Sequence, residues 1–439
     1  MNRRLALTIA VLALLSARRA AAQEMSIGYQ GLPYKATGES PTGINLGEGV
    51  LMHVGLGAEA GYDSNVFYGS SSIPGAVIGS GILRFSGYGE VTNASRNGTV
   101  PGLSYDVRAG LTYRRYLSDN VYVKNYDNAW MPSAGLSLGT SAGTWTFALS
   151  DSFLRQEDPP YQTTGLARSV SPISRDNNLA TLQAQWMPGG GRITGTLRYT
   201  NSIDLFEANS GYSYANSLTH TFTLDVSWKW LPKTALFVQA NQGYVSYLNT
   251  NSEGKVPSYP LRIIAGLRGL ITPKLQAVVS LGYVNAFYSS GATTGGFWGS
   301  TYVDVQGIIN PTMLSRLTVG YHQDFQNSII SNFYYQYSVY ASWVQQIAGR
   351  LSLDLSGRYS HNSYRGLLFD TTQSRSDNSF LAGATLDYFI RNWIYAGVGY
   401  SFTANVSDYH LPNAMGMPDP AKPVDYLKNQ VFARLGVTY

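Results

Sequence analysis

Apolar and polar residues alternate strictly along most of this 439-residue chain. Leu218, His220, Phe222, Leu224, Val226, Trp228 and Trp230 interleave with Thr219, Thr221, Thr223, Asp225, Ser227 and Lys229. The same pattern recurs in Leu351–Ser360 and Ile394–Thr403. A period of two places one apolar and one polar row on opposite faces of a strand, and no comparable helical period competes with it.

The connections carry the second signal. Short turns lie at 140–143, 188–191, 231–233, 272–274, 310–312, 348–350 and 391–392, while mostly longer polar segments lie around 66–79, 156–173, 205–214, 249–257, 289–296, 365–375 and 407–426. Long strands joined by short turns at one end and long loops at the other describe an outer-membrane barrel. The pattern predicts strands at 50–65, 80–92, 102–117, 128–140, 143–155, 174–187, 191–204, 215–230, 233–248, 257–271, 274–289, 297–310, 313–326, 332–346, 350–364, 377–390, 393–407 and 427–439. That is an all-β, antiparallel, up-and-down transmembrane barrel of about eighteen strands. Sixteen remains open if 80–92 and 128–140 are not strands.

A barrel this wide cannot fill its interior with side chains, so the apolar row must face lipid and the polar row water. Trp145, Trp186, Trp230, Trp343 and Trp393 sit near the short turns, and Tyr199, Tyr283, Tyr321, Tyr359 and Tyr400 near the far strand ends. Two such belts match the two membrane interfaces. The outer-membrane lipid is therefore the first expected partner, and the outer membrane the expected location.

Composition sharpens this. There are 31 Lys+Arg against 26 Asp+Glu and no cysteine, and only 13% of residues are charged while 44% are hydrophobic. A disordered chain is excluded, as are disulfide scaffolds, thiolate metal sites and cysteine nucleophiles. Residues 1–22 read as a signal peptide, with basic Asn2-Arg-Arg4, the apolar run Leu5–Ala17 and a small-residue cleavage site. Removing Arg3, Arg4, Arg18 and Arg19 leaves 31 − 4 = 27 cations against 26 acids, about +1. Nucleic-acid binding thereby loses its support. Residues 23–48 are Gly- and Pro-rich without alternation and form either a periplasmic segment or a plug, and 49–439 is the barrel.

Parity assigns the inner wall. Its lumen-lining candidates are Arg84, Arg108, Arg114, Arg198, Lys229, Arg262, Arg268, Arg316 and Arg358 with Tyr302, Tyr340 and Tyr395. Arg434, Tyr88, His322 and the acids Glu90, Asp106, Asp225, Asp304, Asp354 and Asp387 share that face. Two readings stay open. Arg–Asp pairs brace a wet wall, or Arg and Tyr line a path for an anionic or sugar-containing solute, Arg through its forked donors and Tyr through its flat ring.

Enzymatic chemistry finds no constellation. His53, His220, His322, His361 and His410 stand in no motif with Ser or Asp, and no two have metal-ligand spacing. No cofactor or metal is expected. Gly55, Gly57 and Gly61 lie inside a strand with no helix following, so small residues easing a crowded wall fit better than a phosphate loop. Asp63-Ser64-Asn65 reads as a side-chain-capped turn, with calcium in the external loops as the other use.

The last strand, with Arg434, Gly436, Val437 and Tyr439 at alternate positions around an aromatic end, resembles the signal read by the barrel assembly machinery. A free edge strand pairs by strand addition. Gly57–Phe67 (GAEAGYDSNVF), with Trp230-Leu-Pro-Lys-Thr234 and Ile271-Thr-Pro-Lys-Leu275, is similar to the β-barrel porin 2 family. That resemblance implies an outer-membrane barrel, some of whose relatives export exopolysaccharide or capsule alongside periplasmic export proteins. The expected function is a pore for a hydrophilic solute in such a system. A diffusion porin, or a closed structural or adhesive surface barrel, are the other readings.

Overall fold

The computed structural model describes residues 43–47, 49–93, 102–124, 128–157, 174–207, 212–249, 255–288, 301–368, 373–413 and 418–439. The signal-peptide reading of 1–22 and nearly all of the 23–48 segment lie outside them.

Eighteen strands close into one barrel: β1 (Val50–Asp63), β2 (Ser80–Thr92), β3 (Leu103–Leu117), β4 (Ala129–Ala142), β5 (Trp145–Gln156), β6 (Arg175–Trp186), β7 (Ile193–Phe206), β8 (Ser217–Leu231), β9 (Thr234–Tyr247), β10 (Leu261–Thr272), β11 (Leu275–Asn285), β12 (Thr301–Ile309), β13 (Ser315–Asn327), β14 (Ser331–Ile347), β15 (Leu351–Leu367), β16 (Arg375–Arg391), β17 (Ile394–Ser407) and β18 (Tyr426–Thr438). Each pairs antiparallel with its sequence neighbours, and β18 pairs with both β17 and β1, which closes the ring. The two weakest predicted strands are present as β2 and β4, so the count is eighteen, not sixteen. Residues Ile44–Gly47 add a short strand on the foot of β1, below the end of β18.

The predicted strand at 257–271 begins only at Leu261. Pro257 and Pro260 have no N–H to give a ladder, and Ser258 between them makes only isolated bridges, to Val245 and Tyr288.

Outward-facing rows are apolar and exposed throughout: Leu56, Val107, Leu197, Phe222, Leu224, Val238, Leu281, Val339, Val398 and Leu435 among them. In water this belt would be a vast unpartnered apolar surface. Around a closed sheet whose backbone groups all pair, it is the face presented to hydrocarbon. The chain is therefore an integral outer-membrane barrel, with the tight turns on the periplasmic side.

The upper aromatic belt has a recurring construction. A lipid-facing tyrosine hydroxyl meets a polar side chain at the interface: Tyr199 with His220 Nδ1 (2.7 Å), Tyr321 with Gln323 (3.0 Å), Tyr359 with Asn378 (2.8 Å), Tyr400 with Asn429 (2.7 Å), and Tyr113 with Asn128. Asn285 donates to the Tyr283 hydroxyl in the same way (2.9 Å). Each ring thus keeps its body in lipid and its polar tip satisfied. His220 is accounted for as the Tyr199 partner.

Candidate functional site

Alternation along the strands turns the polar row inward, and there most cations meet an acid. In the upper half Arg84 pairs with Glu59 (2.6 Å), and in the periplasmic half Arg268 pairs with Asp225 (3.0 Å) and Arg434 with Asp387 through Nε (2.8 Å). Towards the outer end Arg175 pairs with Asp204 (2.7 Å), Arg262 with Asp324 (3.0 Å), Arg375 with Asp377 (2.6 Å) and Lys428 with Asp63 (2.8 Å). His322 faces Asp304 at 3.4 Å, and near the periplasmic end Arg108 reaches Asp106 at 3.1 Å. Partly wet pairs contribute only about 0–1 kcal/mol each to stability. Their larger consequence is electrostatic: the wall is polar and close to neutral over most of its height.

The other predicted wall residues are placed as follows. Arg114 is buried, its guanidinium 4.9 Å from the Tyr116 ring centre. Arg198 bonds Gln183 Oε1 through Nε (3.1 Å) and Nη2 (2.9 Å). Arg358 lies 5.7 Å from the Tyr340 ring. Tyr340 spreads across Gly320, and its hydroxyl accepts from Gln306 (3.0 Å). Tyr302 and Tyr395 are buried against neighbouring side chains, Tyr302 within an aromatic cluster. Arg316 opens β13, and Lys229 lies near the foot of β8 beside the β6–β7 turn.

The closure seam absorbs the Gly57–Phe67 segment. Asp63 Oδ1 accepts the Asn65 amide (3.0 Å), the capped turn expected there. Asn65 then donates to the Gly69 and Leu427 carbonyls (2.8 and 3.0 Å), tying the β1–β2 connection to β18. On β18, Arg434 and Gly436 face inward and Val437 and Tyr439 outward. Gly436 lies beneath the Tyr395 ring, where any side chain would collide with it. Gly55 lies beneath Tyr88 in the same way, a crowded-wall glycine and not a phosphate loop.

The outer mouth is built differently from the wall. The β13–β14 hairpin turns at residues 328–330, a tight connection at the outer end, and leans inward. Two contacts define the lean. Arg262 of β10 bonds Asp324 and the Phe325 carbonyl (3.1 Å) of β13, passing over two intervening strands. Ile329 at the tip packs with Phe206 at the end of β7 and with Tyr212, Tyr214 and Ala215 of the β7–β8 connection. Below, Phe325, Phe333 and Tyr335 join Phe237, Ile264, Val284 and Tyr302 in one cluster. Beneath the hairpin remains a recess of about 140 Å³ lined by Thr219, Thr221, Asn241, Arg262, Phe325 and Asn327.

One lysine latches this element. Lys255, in the β9–β10 connection, is buried, with Nζ donating to the Ser331 carbonyl (2.7 Å) and the Ser328 carbonyl and lying 5.2 Å from the Tyr247 ring. No ion pair reaches it among the described residues, so burial drives its ammonium down from the usual 10.5 to about 7. Alongside, the Asn332 side chain accepts the Val256 amide (3.3 Å), and the Tyr288 hydroxyl donates to the Asn332 carbonyl (3.3 Å). Burial raises the Tyr288 hydroxyl. The Leu368 amide donates to the Ile330 carbonyl (3.0 Å), extending the β14–β15 ladder to the hairpin tip, whereas among the described residues no backbone–backbone bond joins the tip to the β7–β8 or β9–β10 connections.

Lys255 and Asp324 escaped the sequence reading for different reasons. Lys255 stands in a connection with no alternation to orient it. Asp324 was legible by parity, but its partner three strands away was not.

No family model matches the chain, so the family that Gly57–Phe67 resembles is not shown. No curated protein matches it either. Among solved structures it is similar to OccAB3 of Acinetobacter baumannii at 12% identity and a TM-score of 0.44, covering 88% of this chain and 99% of that one. The siderophore receptor PirA of Acinetobacter baumannii follows at 9% identity and 0.43, covering 88% of this chain and 80% of that one. The alcaligin outer membrane receptor FauA of Bordetella pertussis stands at 9% and 0.38, over 88% and 76%. Likeness at this level says nothing about a solute.

Proposed function

We propose that this barrel is a pore whose outer mouth opens and closes, serving the outward passage of a hydrophilic polymer, an exopolysaccharide or capsule chain. The observation that carries this reading is the inward-leaning β13–β14 hairpin: β14 stays laddered to β15 up to its tip, but across the mouth the hairpin is held by side chains alone, the buried Lys255 among them. The contacts across the mouth can break together while the laddered β15 edge serves as the hinge. A static diffusion pore has no use for a releasable outer mouth. An exporter does, because its cargo arrives intermittently from the periplasmic side and the membrane must be sealed between passages.

The near-neutral polar wall supports the same reading. Paired charges keep the surface wet while leaving no strong fixed charge to trap a passing polymer. On this reading Arg84, Arg108, Arg114, Arg198, Lys229, Arg262, Arg268, Arg316, Arg358, Tyr302, Tyr340 and Tyr395 build the wall, most as braces. Arg434, Gly436, Val437 and Tyr439 serve folding by the assembly machinery, and periplasmic export proteins deliver the cargo. A strain lacking the chain should retain polymer that the parent releases, and restoring the chain should restore release. Unchanged release would overturn the export reading.

A further inference from the structure

Six tight turns join the strands between β6 and β17, and five carry one exposed cation: Arg192, Lys233, Lys274, Arg350 and Arg391. The sixth, at 310–314, is followed by Arg316. No Asp or Glu occurs in residues 187–192, 232–233, 273–274, 310–314, 348–350 or 392–393. None of the five exposed cations makes an ion pair among the described residues. The contrast with the outer end is sharp, since there Arg175, Arg262, Arg375 and Lys428 are each neutralised by a carboxylate.

Successive turns on one rim are two strands apart, about 10 Å at the usual strand spacing. That is close to a Debye length at moderate salt, so cations on neighbouring turns reinforce one another, and Arg316 spans the turn that has none of its own. Lys229 and Arg316 face the interior within a few residues of these turns, carrying the field over the lip into the barrel. From the periplasm inward, the potential is thus strongly positive at the entrance and falls towards neutral along the wall.

From this gradient we infer that the periplasmic rim is a capture site for an anionic carbohydrate polymer, one bearing carboxylate, phosphate or sulfate groups along its length. This rests on the export reading and narrows its substrate class. Charge complementarity selects a polyanion, and continuity selects cargo over lipid. Inner-leaflet phosphates would meet the outward cations but not Lys229 or Arg316, whereas a polymer entering the barrel meets both. Unpaired turn cations followed by a paired wall suit capture without retention.

The test uses the full chain, with oligogalacturonate as the polyanion and an uncharged dextran of matched size as control. In planar bilayers at low salt, block by oligogalacturonate added on the turn side should begin at least tenfold faster than block from the loop side, and slow as salt rises. Replacing Arg192, Lys233, Lys274, Arg350 and Arg391 by Gln should remove that advantage while leaving potassium conductance and dextran entry unchanged. Equal rates from the two sides, or an unaffected quintuple variant, would overturn capture. Should the barrel carry no current at all, the pore reading falls, and titration of oligogalacturonate into detergent-solubilised protein decides capture separately. Tenfold weaker binding by the quintuple variant supports it, and equal binding refutes it. Loss of an acidic periplasmic protein from the variant with unchanged oligogalacturonate binding would also count against the polymer.

Discussion

The Lys255 latch should make the outer mouth respond to pH in a direction fixed by its burial. Docked, the ammonium is pushed from 10.5 to about 7; released into water, it returns to its ordinary value. Between those limits the released state binds more protons, so raising pH stabilises the docked state and lowering pH releases it. Below pH 7 both states are protonated and the effect is flat. At about 1.4 kcal/mol per pH unit over a gap of 3.5 units, the full span is at most ~5 kcal/mol. The open-to-closed ratio should therefore fall by up to tenfold per unit as pH rises from 7 to 9.5. The window stops there because the Tyr288 hydroxyl, raised by burial, contributes the opposite sign once free tyrosine ionises. Single-channel dwell times in planar bilayers, in steps of half a pH unit, read this ratio. Lys255→Met should remove the slope and, by leaving the Ser328 and Ser331 carbonyls without their donor, shift the mouth towards open at every pH. A pH-independent wild type, or a Lys255→Met variant with the wild-type slope, would refute the latch.

Other parts of the structure make independent predictions. Gly436→Ala drives a methyl into the Tyr395 ring and should destabilise the folded barrel by about 1–3 kcal/mol in urea melts, with Tyr395→Ala restoring most of the loss in the double variant. Asp324→Asn removes the Arg262 partner across the mouth and should lengthen open dwell times, whereas Asp225→Asn, which touches only Arg268 of the wall, should not. Arg262→Ala with Arg268→Ala should reduce anion selectivity, and unchanged reversal potentials would leave both as braces. Asn65→Ala loses two buried hydrogen bonds to Gly69 and one to Leu427 of β18, and should lower the thermal midpoint more than Asn93→Ala, which loses two at the exposed β2 end.

Much of the barrel was legible because period-two patterning is a local property. Phe222, Leu224, Val226 and Trp228 declare their face without reference to any other strand, and Trp230 or Tyr359 declare their height by distance from a turn. The alternation in β2, thinned by glycines such as Gly87 and Gly89, was the faintest, and the structure pairs it on both sides all the same. Wall residues such as Arg268 were assignable to a face by parity, but parity is silent on partners. Arg268 and Asp225 lie two strands apart, and their meeting depends on register and shear. The mouth was least legible. Ser328, Ile329 and Ile330 fall between the predicted strands 313–326 and 332–346, and nothing local shows that the hairpin leans across the opening. Lys255 is informative only through its burial, and burial of a loop residue is a property of the whole assembly.

On the proposed function, the barrel encloses a wet conduit closed at its outer end by a releasable hairpin. Single-channel recording of the Lys255→Met barrel beside the wild type at pH 9 tests it most directly. Discrete, long-lived current steps are expected in the variant and mostly closed records in the wild type, with the same unitary conductance when open. Inserted barrels that carry no current in either form, or that conduct continuously and alike in both, would contradict it.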